Sequence, residues 1–144
     1  MEKNLIEIEA SKFLFSFMKE MYVWEVGLIN LQKESGGAYF DTNKEEVRNN
    51  LSEIYNKFLT KKERKTGRLA ALNFGLPTEY NPDVEKITSI EVNENQKKII
   101  IETIYKTYLE FKRKYTIKIL QNEFKIDKRE DFSPLKEKWV AVTF

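Results

Sequence analysis

Any chemistry on this chain has to proceed without two of the usual agents. The 144 residues include no histidine and no cysteine, so serine–histidine triads, thiolate nucleophiles, zinc–histidine sites and disulfides are all excluded. A proton-transfer site would have to combine Asp or Glu as base with Tyr as hydrogen-bond donor. Two groups of acids stand out. In Pro77-Thr78-Glu79-Tyr80-Asn81-Pro82-Asp83-Val84-Glu85, two prolines fix an extended path and remove amide donors around Glu79, Asp83 and Glu85. Between residues 69 and 95 the acids Glu79, Asp83, Glu85, Glu91 and Glu94 face only Lys86. The second group is Glu20 and Glu25, which flank Trp24 on a helical pattern. No spacing couples any of these acids to a tyrosine, so no catalytic residue, metal site or cofactor is expected. Glu79, Asp83, Glu85, Glu20 and Glu25 are instead candidates for an acidic surface that meets a basic partner. A solvated loop leading into a strand would carry the same charges.

Two basic runs, 61–65 and Lys112-Arg113-Lys114, could meet phosphate, with Phe111 and Tyr115 as stacking rings. Those rings share strand spacing with Ile117 and Ile119, which places them in a core. With Lys+Arg 25 against Asp+Glu 23, the net charge of +2 is too small for nucleic acid to be expected as a partner.

The elements that must position these residues fall into two blocks. Leu14, Phe17, Met18, Met21, Trp24, Leu28 and Leu31 recur at spacings of three and four, predicting a helix from a Ser11 cap to about Gln32, ended by Gly36-Gly37. Thr42-Asn43-Lys44-Glu45 reads as a capping box opening a second helix, with Val47, Leu51, Ile54, Tyr55 and Phe58 as its stripe. A short strand is expected over 68–74. Extended segments follow at Glu85–Asn93, Lys98–Ile104, about Phe111–Ile119 and Glu123–Asp127, with polar turns at 93–96 and 121–123 and a third turn near 106–108. The tail around Trp139–Val142 reads as a last strand or a docked end. Helices first and an antiparallel meander second predict an α+β fold. Both stripes should then pack on a face made by Ile99, Ile101, Tyr115, Ile117, Phe124 and Ile126.

The length suits a single domain over 1–144. No apolar stretch approaches the length of a membrane span, so no membrane partner is expected. The first residues lack the basic and apolar regions of a signal peptide, so the expected compartment is the cytoplasm.

Taken together, Met21-Tyr22-Val23-Trp24-Glu25, the run from Phe74 through Ile87 and the Lys125-Ile126-Asp127 strand resemble the nuclear-transport-factor-2-like immunity proteins of bacterial polymorphic toxin systems. The resemblance runs from about Phe13 to about Asp127. It implies a cone-shaped domain, a curved antiparallel sheet wrapped on N-terminal helices, and a function of binding and neutralising a cognate toxin. It also admits a homodimer, since this fold often pairs through its sheet face. Enzymes share the fold, so the alternative is a small-molecule-binding protein or a histidine-free lyase or isomerase. The missing histidine favours binding.

Overall fold

The computed structural model of the chain describes residues 2–62, 72 and 74–144. Of the strand expected over 68–74, residues 68–71 and 73 lie outside the described residues, and Leu72 and Phe74 are not in a strand. Helix α1 spans Lys3–Glu34, about 48 Å at ~1.5 Å per residue. It starts upstream of the expected Ser11 cap because Ile6 and Ala10 extend the buried stripe by two turns. Ser11 sits inside the helix, and its hydroxyl donates to the Glu7 carbonyl at 2.8 Å. Gly36 and Gly37 take φ of 64° and 93°, and the Gly37 amide closes back on the Gln32 carbonyl at 2.8 Å.

Helix α2 spans Tyr39–Phe58, with a kink where Asn43 leaves helical geometry. The expected capping box does not form, because the Thr42 hydroxyl donates to the Ala38 carbonyl instead. The first turn is capped from α1. Ser35 Oγ accepts from the Tyr39 amide at 2.8 Å, and Gln32 Oε1 accepts from the Phe40 amide at 2.8 Å. One helix end therefore completes the other, and the pair forms as a hairpin.

Among the described residues five strands follow: β1 Glu85–Asn93, β2 Lys98–Lys106, β3 Glu110–Leu120, β4 Glu123–Ser133 and β5 Lys138–Val142. They pair antiparallel in sequence order as one sheet. The predicted inner face holds: Ile99, Ile101, Tyr115, Ile117 and Ile126 are fully buried, and Phe124 packs against them in part. Both helices lie on that face, with Phe17 meeting Phe58, Tyr80 and Phe144 edge-on. The tail is both a strand and a docked end, since Phe144 is buried against Phe17 and Tyr55.

Two bulges break the regular alternation of the sheet. Ile87 pairs with Thr103 and Ser89 with Glu102, so β1 carries one extra residue. Thr116 pairs with Lys128 and Ile117 with Ile126, so β4 carries another. Each bulge reverses which residues of its strand point inward.

Candidate functional site

The bulges turn Glu85 and Arg129 into the interior, where they meet Arg113 and Tyr115 from β3. Glu85 is 2% exposed. Its carboxylate accepts from Arg113 Nη1 at 2.8 Å, Thr103 Oγ1 at 2.7 Å and the Tyr115 hydroxyl at 2.7 Å. Arg129 grips Asp131 with Nε at 2.8 Å and Nη2 at 2.7 Å, and its remaining Nη1 donates to Glu79 and to the Tyr80 hydroxyl. The two guanidinium carbons lie 5.4 and 5.3 Å from the Tyr80 ring centre, and Arg113 is 4.1 Å from that of Tyr105. Stacking of this kind suits Arg, whose charge is more weakly hydrated than an ammonium. Arg113 Nε is buried without a hydrogen-bond partner, and the adjacent Tyr105 face is its compensation.

Burial pushes the Tyr115 phenol well above its ordinary pKa, and the Glu85 charge pushes it further. Burial also raises Tyr80, against the pull of Arg129 and Arg113. For Arg129, burial pulls downward, but the Tyr80 oxygen and the Asp131 hydrogen bond outweigh it and leave the guanidinium well above its ordinary value. The arginines therefore stay charged and the tyrosines neutral across the physiological range. The Glu85–Tyr115 contact is the pairing that an acid–base site would use. Here the carboxylate already accepts three bonds and its side chain is fully buried, so it serves as a structural hub.

Above the cluster lies the proline loop, and it is anchored through its main chain. Glu25, 2% exposed on α1, accepts from the Gly75 amide and from the Glu79 amide, each at 3.0 Å. Tyr105 donates its hydroxyl to the Thr78 carbonyl, and Arg113 Nη2 donates to the Glu79 carbonyl at 2.8 Å. Thr78 closes the turn by donating to the Tyr80 carbonyl at 2.9 Å. The helix and the sheet thus hold the same short segment from opposite sides.

The five acids expected at a surface separate accordingly. Asp83 is exposed. The Glu79 side chain is 38% exposed and paired with Arg129. Glu20 stands on the α2 side of α1, paired with Lys57 at 2.6 Å. Glu25 and Glu85 are internal and reach no surface. Trp24, flanked by Glu20 and Glu25, is part of the core boundary, with its indole N–H donating to the Val47 carbonyl at 3.3 Å. In the run 112–114, Arg113 is buried, while Lys112 and Lys114 lie on the outer face over Phe132 and Trp139. Tyr115 is core as expected, whereas Phe111 is 45% exposed. Arg113 was expected only in a phosphate-facing basic run, and Arg129, Tyr105 and Asp131 were not anticipated. Alternation along β3 could have placed Arg113 on the Tyr115 face, but Arg129 was hidden by the β4 bulge. Among the described residues no group of acids could hold a metal ion.

Comparison with known proteins gives one consistent answer. The model of the NTF2 fold immunity protein family matches residues 9–143. The immunity protein RhsIA of Dickeya dadantii (strain 3937) is 40% identical over 133 residues, covering 92% of this chain and 93% of that protein. No solved structure matches the chain at a significant level.

Proposed function

The chain belongs to the NTF2 fold immunity proteins, whose work is protection against a toxin, and from that premise we propose that it neutralises its toxin by binding alone, through the anchored loop. The observation that carries this reading is the clamping of the segment 75–79 by Glu25, Tyr105 and Arg113. A loop already held in one conformation loses little entropy when a partner docks on it. It presents Asp83 outward and Glu79 at the rim, beside Asp131, which shares its guanidinium. Toxins that act on nucleic acid carry a basic groove for phosphate, and carboxylates placed against such a groove speed encounter and set register. Glu79 and Asp83 are the proposed contacts and Glu20 a peripheral one, while Glu25 and Glu85 act from beneath. Binding without catalysis is supported by the filled interior around Glu85 and by the lack of any histidine or cysteine. No described helix is long and apolar enough to cross a membrane. The proposed compartment is the cytoplasm, which a cysteine-free chain suits.

The test is capture of the toxin domain encoded beside this chain's gene, in an inactivated form, by wild type and by Asp83→Lys combined with Glu79→Gln. Glutamine at 79 is chosen because a cation there would face buried Arg129. The expected result is an association rate reduced about tenfold at low salt, with protection of cells reduced in parallel. Unchanged binding by a folded double variant would remove the loop from the interface.

A further inference from the structure

Arg129 is buried, with its side chain 3% exposed, yet two of its partners stand at the rim. They are Glu79 of the loop, 38% exposed, and Asp131, 36% exposed. Nε and Nη2 both donate to Asp131, at 2.8 and 2.7 Å, and this fork fixes the plane of the guanidinium. Nη1 is thereby directed at the loop, where it donates to Glu79 Oε1 and, at 3.1 Å, to the Tyr80 hydroxyl. Tyr80 is itself held in the core, with its ring 5.1 Å from that of Phe17 and 5.3 Å from the Arg129 guanidinium carbon. The direction of Nη1 is therefore set from two sides, by β4 through Asp131 and by the core through Tyr80. The consequence falls on Glu79. The bonds from Glu25, Tyr105 and Arg113 to the loop end on its peptide groups. A gripped main chain leaves a glutamate its choice of rotamers. Arg113 Nη2 is 3.9 Å from the Glu79 carboxylate, so the close contact that selects one rotamer is the one from Arg129.

We propose that Arg129 is a positioning residue for toxin binding, which aims the Glu79 side chain before the toxin arrives. This rests on the reading that the loop faces the toxin. Long-range attraction does not explain an arginine here. The carboxylates of Glu79 and Asp131 with one guanidinium leave a single net negative charge at this part of the rim, where a neutral residue at 129 would leave two. Arg129 thus weakens the pull on a basic partner and fixes where the carboxylates sit. Charge acts mainly on the rate of encounter, whereas the fit of a docked side chain acts mainly on the rate of dissociation. The contribution of Arg129 is therefore to the lifetime of the complex.

Arg129→Lys tests this, because an ammonium keeps the charge but has no plane and no fork. The probe is the same inactivated toxin domain, with association and dissociation rates measured separately and hydrogen exchange followed at the Gly75 and Glu79 amides. Dissociation should be about fivefold faster, the effect of one rotamer-rich side chain that is ordered only on binding. Association should be unchanged, since the rim charge is unchanged, and the loop amides should stay as protected as in wild type. In a Glu79→Gln background the same substitution should accelerate dissociation no further. Wild-type dissociation in Arg129→Lys overturns the proposal. So does an equal effect in the Glu79→Gln background, or faster exchange at the loop amides, which would make Arg129 part of the main-chain frame. If Glu79→Gln alone leaves binding unaltered, the Glu79 contact itself fails and the proposal falls with it. Should the lysine variant not fold, Asp131→Asn carries the test, because it removes the fork's partner at a half-exposed site. The same faster dissociation, again absent in the Glu79→Gln background, is then expected, and unchanged dissociation overturns the proposal.

Discussion

Replacing Glu85 by glutamine keeps the shape of the buried cluster and removes its charge. The carboxylate serves three donors, one of them the Arg113 guanidinium, whose side chain is 4% exposed. A glutamine offers one carbonyl oxygen, and its amide points N–H groups at hydroxyls that now donate. Arg113 keeps the Glu79 carbonyl as a partner but loses its close counter-charge, with only the Glu79 carboxylate left at 3.9 Å. Breaking a buried ion pair from one side costs roughly 3–5 kcal/mol. Because no cavity is left, the lower end, about 3 kcal/mol, is the expected loss. With a urea dependence of about 2 kcal/mol/M, the unfolding midpoint should fall by about 1.5 M. The cost belongs to the stranded arginine, so Glu85→Leu combined with Arg113→Met should be more stable than the sum of the single variants, by about 2 kcal/mol in a double-mutant cycle. Two results would refute the reasoning: a Glu85→Gln loss below about 1 kcal/mol, or strictly additive single variants.

Glu25→Gln should speed hydrogen exchange at the Gly75 and Glu79 amides, which share its carboxylate, while leaving strand amides at Ile99 and Ile101 protected. Mass spectrometry of the loop peptide reads this, and unchanged exchange would mean that Glu25 does not hold the loop. Burial pushes the Asp127 pKa up, but hydrogen bonds from Lys62 and Thr60 and the charges of Lys62 and Lys118 leave it below the ordinary 3.8. A carboxyl lowered by folding stabilises the protein above its unfolded pKa and loses that effect as pH falls through the folded one. Asp127→Asn should therefore be less stable than wild type at neutral pH and converge with it in strong acid, as read from urea midpoints across the pH range.

Much of the scaffold is legible in the residue pattern, because burial on one face imposes a period. Tyr115 and Ile117 alternate with polar neighbours, Ile99, Ile101 and Thr103 alternate with Ile100, Glu102 and Ile104, and β1 spans the predicted Glu85–Asn93. Helix starts are less legible. Ser11 and Thr42 are good caps by type, yet the packing of Ile6 and Ala10 carries α1 past Ser11, and Gln32 and Ser35 supply the α2 cap from a neighbouring turn. The largest loss is at the site. Counting back by twos from Ile90 puts Glu85 outside, and counting forward from Ile126 puts Arg129 outside. Single extra residues on β1 and β4 reverse both. A bulge leaves no compositional mark here, so an internal ion cluster reads as surface charge.

The manner of the loop's attachment has a further consequence. Its anchors take hold of peptide groups: the amides of Gly75 and Glu79 and the carbonyls of Thr78 and Glu79. Peptide groups are common to every residue type except proline, which lacks the amide. Outward side chains such as that of Asp83 can therefore be exchanged without disturbing the frame that displays them. If the toxin docks on this loop as proposed, the protein can follow a change in the toxin's surface by substitution at the display positions alone, while the machinery beneath stays as it is.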